Sequence, residues 1–93
     1  MARNRFEQVD ELQEDAITLS LARDGGNESG TVIFPASASG GRLKEDQMSP
    51  KLPAFNSLCS AIKIANVMKV AIVVLDPDGI WKPEWGDLYR DAG

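Results

Sequence analysis

The chain contains no histidine and a single cysteine, Cys59. The first absence removes the commonest general base and the commonest nitrogen ligand for zinc, copper or haem iron. Ser-His and Cys-His nucleophile pairs go with it. The second excludes an intrachain disulfide and a cysteine metal cluster. Cys59 is therefore expected as a small core residue in a reduced, cytoplasmic protein. Long apolar runs are also missing: the longest, Val70–Leu75, is strand-sized, against the ~20 residues that a membrane-spanning helix needs. The stretch MARNRFEQVDELQED shows no apolar segment of a secretory signal. Carboxylates and lysines remain for acid–base work, but no local arrangement gathers them into a site. The expectation leans away from an enzyme, with no catalytic residues, no cofactor and no metal.

What is present suffices for one small domain. Ninety-three residues, 43% of them hydrophobic, argue for a globular fold rather than wholesale disorder. A chain of this size buries about 60–65% of its unfolded surface, so its core is modest. The net charge is −4 and unevenly placed. Residues 1–28 carry seven acids and three bases, and residues 71–93 five acids and two bases. The middle reverses this, with Arg42, Lys44, Lys51, Lys63 and Lys69 against Glu45 and Asp46. Acidic ends around a mildly basic centre disfavour nonspecific binding to nucleic acid, which needs several phosphate-facing cations.

Periodicity divides the chain into elements. In residues 1–15, Phe6, Val9 and Leu12 recur every third position, which predicts a short polar helix or an ordered tail. From Ala16 the pattern alternates at Ile17, Leu19 and Leu21, then resumes as TVIF after RDGGNESG, a hairpin with a loose turn. The competing reading extends the first helix through Arg23 and ends it at Gly25. Residues 36–53, ASASGGRLKEDQMSPKLP, lack periodicity and read as a flexible loop. AFNSLCSAIKIANVMK is an amphipathic helix over 54–69, with Phe55, Leu58, Cys59, Ile62, Ala65 and Met68 on its apolar face. Ile64 and Val67 project off that face, so a second layer, a loop or another subunit is expected to cover them. VAIVVL is a buried strand, DPDG a turn with a backbone reason for each residue, and IWKPEW a returning edge strand limited by Pro83.

Three motifs invite functional readings. Asp76 and Asp78 fail the calcium-loop pattern, because glycine follows the second acid directly. Gly40 and Gly41 stand near Arg42 and Lys44 after a strand, but without the spacing of a phosphate-binding loop. They remain an anion-binding alternative, with the 36–53 loop lying over the N-terminus of the helix. Trp81, Trp85 and Tyr89 are spaced by four, and the two tryptophans share a face whether the segment is helix or strand. They read either as a core lid or as a partner surface.

The expected architecture is α+β: hairpin, helix, hairpin, with about four antiparallel or mixed strands, one helix packed on them, and short helices at the ends. In general look the chain resembles a small bacterial protein. The functional expectation is a noncatalytic interaction or regulatory module that binds a protein partner or a second copy of itself through Trp81, Trp85, Tyr89, Ile64 and Val67. Membrane partners are not expected. The alternative is a small-molecule or anion binder using Gly40, Gly41, Arg42 and Lys44.

Overall fold

In the computed structural model, residues 5–41 and 43–90 are described. The fold is α+β: one helix on a mixed sheet of seven strands, not the four expected. The strands are β1 (Arg5–Val9), β2 (Ile17–Asp24), β3 (Asn27–Phe34), β4 (Gln47–Met48), β5 (Leu52–Pro53), β6 (Ile72–Leu75) and β7 (Asp87–Tyr89), and the helix α1 is Ala54–Met68. The sheet order is β4-β3-β2-β6-β1-β7, with β5 also paired to β3. Strands β2, β6, β1 and β7 are mutually parallel, and β3 runs antiparallel to β2. Among the described residues, no helix is long and apolar enough to cross a membrane.

The alternation of Ile17, Leu19 and Leu21 against Val32 and Phe34 does form the hairpin β2–β3, with Leu19 opposite Val32 and Leu21 opposite Gly30. Its turn uses Gly25 and Gly26, both at positive φ, where glycine carries no Cβ penalty. The helical reading of 16–23 is thereby excluded. The N-terminal helix is corrected as well, since residues 5–9 are a strand. Strand β6 lies between β1 and β2, so residues 10–16 must travel back across the sheet to join two parallel strands. Ala16 packs with Val9 and Val73 on the face away from α1, and the Gln13 N–H donates to Thr18 Oγ1 at 3.4 Å. Long-range pairing, not local periodicity, decides this segment.

The other sheet face carries the main core. Phe6, Ile17, Leu19, Leu21, Val32, Phe34 and Val74 meet Ala54, Leu58, Ala61 and Ala65 of α1. The helix is rolled relative to the expected wheel: Phe55 and Cys59 are exposed, while Ala54, Ser57, Leu58, Ala61 and Ala65 are buried. Small side chains let the helix sit close to the strands. At Gly30 the approach is so tight that a Cβ would lie 2.1 Å from Ser57 Oγ. Cys59 is therefore an exposed thiol and not a core residue. The helix stops at Lys69, which adopts the left-handed conformation with φ of 57°.

The expected second hairpin does not form. After β6 the chain turns through Asp76–Gly79, and Pro83–Trp85 is a 3₁₀ turn. Only Asp87–Tyr89 rejoins the sheet, parallel to β1. Pro83 cannot donate to a ladder, and Trp81 and Trp85 pack against the core instead of extending along β6.

Candidate functional site

Asp76 sits at the end of β6, and its carboxylate accepts the Ile80 and Trp81 N–H groups, each at 2.9 Å. Asp78 Oδ2 accepts the Arg23 N–H, also at 2.9 Å. Both acids of the turn are thus backbone acceptors, which explains their presence without a ligand. The anchored turn delivers Trp81 to Phe6, with ring centroids 5.3 Å apart in an edge contact. Trp85 stands perpendicular to Trp81 at 5.3 Å, and Phe55 of α1 approaches Trp85 at 6.2 Å. Trp81 Nε1 donates to the Gly86 carbonyl at 3.1 Å, satisfying its polar tip. Both tryptophans are half-buried against the main core. Tyr89 lies elsewhere. Register places Leu88 beside Phe6 and Tyr89 beside Glu7, so Tyr89 faces the opposite side, under the Arg5 guanidinium at 4.7 Å. The structure does not bring the three rings together.

Ile64 and Val67 lie on the flank of α1 away from the tryptophans, and they border an open groove of about 510 Å³. Its floor is Val32 and Phe34 of β3, and its helical wall is Lys63, Ile64, Val67 and Met68. The facing wall comes from Leu43, Gln47, Met48 and Ser49. Strand β4 creates this wall by pairing Met48 with Ile33 and Gln47 with Phe34, at the sheet edge beyond the helix. Ser49 locks it in place: its N–H donates to the Val32 carbonyl, and its Oγ accepts the Val32 N–H, both at 2.9 Å. Asp46 Oδ1 accepts the Ala36 N–H at 2.8 Å, holding the preceding turn. Val67 remains 74% exposed and Met48 68% exposed, facing a space that none of the described residues fills. Among the described residues, no acid lines the groove, and Lys63 makes no ion pair.

The 36–53 segment is not structureless, since it carries a 3₁₀ turn at Ala36–Ala38 and strands β4 and β5. Gly40 and Gly41 turn the chain at φ of 66° and 89°, and the Leu43 N–H donates to Ser39 Oγ at 2.9 Å. Arg42 lies outside the described residues, and Lys44 is exposed. Leu43, Gln47, Met48 and Ser49 line a groove opposite the C-terminal half of α1, at Lys63 to Met68, rather than its first turn. The loop and the Ile64–Val67 flank, read separately from sequence, thus belong to one surface. Its floor and facing wall are not legible in the sequence, because Phe34 reads as ordinary core and Met48 is a lone apolar residue in a polar stretch.

A second hollow, of about 360 Å³, opens at the carboxyl ends of β1 and β6, lined in part by Asp10, Asp76 and Arg90. Asp10 and Arg90 pair through two contacts of 3.0 Å. That hydrogen bonding, aided by the attraction of opposite charges, holds the Asp10 carboxyl below its usual value and raises Arg90. The hollow's charged groups are therefore engaged with one another or with backbone. Lys82 is similarly tied to Glu28 at 3.5 Å. Comparison of the chain with family models, with curated proteins and with solved structures finds no match.

Proposed function

We propose that this chain is a noncatalytic binding module whose recognition surface is the groove between α1 and β4. The observation that carries the reading is the apolar space between Val67 and Met48, left open by the described residues. Sites for small ligands are concave, mostly apolar spaces of about 300–1,000 Å³ with few polar groups, and this groove has that character. The tryptophans act as a lid on the core in this reading, and Ile64 and Val67 keep the binding role expected of them. Gly40, Gly41 and Lys44 take a supporting part, shaping the loop that ends in Met48.

The test uses an amphipathic anionic fluorescent dye, 8-anilinonaphthalene-1-sulfonate, titrated into the folded protein. Saturable enhancement with one site per chain is expected, weakened about threefold or more by Val67→Ser, because part of a buried apolar contact is removed. Absence of enhancement, or an unchanged affinity in the variant, would remove the reading. Self-association through the same surface is the second reading, favoured by the exposure of Val67 and Met48. Sedimentation over a range of concentrations decides it, and a strict monomer eliminates it.

A further inference from the structure

We infer that the groove is built for an amphipathic anion, a free medium-chain carboxylate, with its apolar chain along Phe34 and Met48 and its head at Lys63. This deepens the proposed binding reading and rests on it. Two observations select the occupant. The first is charge: among the described residues, Lys63 is the one charged residue of the lining. Among the described residues it has no carboxylate partner, unlike Lys51, which pairs with Asp24 at 3.4 Å, or Lys82 with Glu28. Glu45 and Asp46, exposed in the same loop, do not line the groove, and Asp46 is engaged with the Ala36 N–H. An anion is the complement of this single lysine, whereas a wholly apolar ligand leaves it unused.

The second observation is size. A stable protein interface takes roughly 20–30 residues from each partner, and a docked helix has a diameter of about 10–12 Å with its side chains. The groove offers a handful of apolar side chains around about 510 Å³, which suits one flexible chain. Two of its walls end in methionine, Met48 on β4 and Met68 on α1. Methionine side chains adapt to ligands of irregular outline.

The experiment is a titration of isotope-labelled full chain with octanoate, decanoate and decanol, each below its aggregation limit, followed by amide spectra. Shifts are expected at Val32 to Phe34, Leu43 to Ser49 and Lys63 to Met68. Affinity should rise about three- to tenfold from octanoate to decanoate, since two more methylenes are partly buried. Decanoate should bind about two- to fivefold tighter than decanol, as expected for an exposed charge pair, with the margin shrinking in high salt. Lys63→Gln should erase that margin, with decanol binding unchanged as the control for folding. Equal binding of decanoate and decanol to the wild type overturns the head-group assignment and leaves the groove reading intact. No shift with any of the three, or a concentration-dependent dimer that buries the same amides, overturns the ligand altogether.

Discussion

On one flank of α1 the ring of Phe55 meets Trp85, Trp81 and Phe6 in a chain of ring contacts. On the other flank Ile64 and Val67 face Met48 across open space. Both flanks are apolar and both lie off the helix's buried stripe, yet only one is closed. The difference lies in what the opposing chain can supply. The aromatic flank receives two tryptophans on a turn held by Asp76 through two backbone bonds and by Asp78 through a third. The aliphatic flank receives a two-residue strand with one large apolar side chain, Met48. Both backbones are anchored, β4 by Ser49 and Asp46, so this domain closes a flank only where bulky rings arrive. Where they do not, it keeps a groove.

The comparison breaks most readily at its closed end. Trp81→Ala should cost about 3 kcal/mol, the low end for tryptophan truncation because the ring is only half-buried. Urea denaturation measures it, and a loss below about 1 kcal/mol would show that the rings decorate the surface instead of closing the core. Gly30→Ala comes next, at about 2 kcal/mol, because its new Cβ would meet Ser57 Oγ at 2.1 Å and Ser57 Cβ at 2.9 Å. Adding Ser57→Ala should recover part of that loss by removing the nearer atom, a coupling that a double-mutant cycle reads directly. Independent, additive losses would mean that the helix does not sit where the strand and helix glycine–serine contact places it. Asp76→Asn should cost about 1 kcal/mol, since a single amide oxygen replaces two carboxylate acceptors and leaves one N–H poorly served. An unchanged midpoint would release the turn from its anchoring role.

The same contrast explains what the sequence disclosed. The β2–β3 hairpin, the helix and the DPDG turn are local: alternation, a 3.6-residue period and proline–glycine geometry determine them. Strand β1 was unreadable because RFEQV has only Phe6 and Val9 as apolar markers, and its pairing to β6 and β7 spans most of the chain. The roll of α1 is hidden from the sequence for a related reason. Hydrophobicity favours Phe55 and Cys59 for burial, but the close approach at Gly30 favours alanine and serine, a constraint that becomes visible only when the strand is in place. Ile64 and Val67 stood out as apolar residues off the main face. Their counterparts did not, because Met48 reaches them through the edge pairing of a two-residue strand.

At the open end the expected effect on stability is the smallest and the most telling. Val67 is 74% exposed, and serine has nearly the same intrinsic helix propensity as valine. Val67→Ser should therefore leave the denaturation midpoint within about 0.5 kcal/mol of wild type, as surface substitutions do. A cost above about 1 kcal/mol would mean that the groove is already filled by the chain's own side chains, and the two flanks would then differ in composition but not in closure. A neutral stability combined with weaker dye binding gives the opposite result. Val67 then serves contacts outside the chain, while Trp81, its counterpart on the closed flank, serves contacts within it.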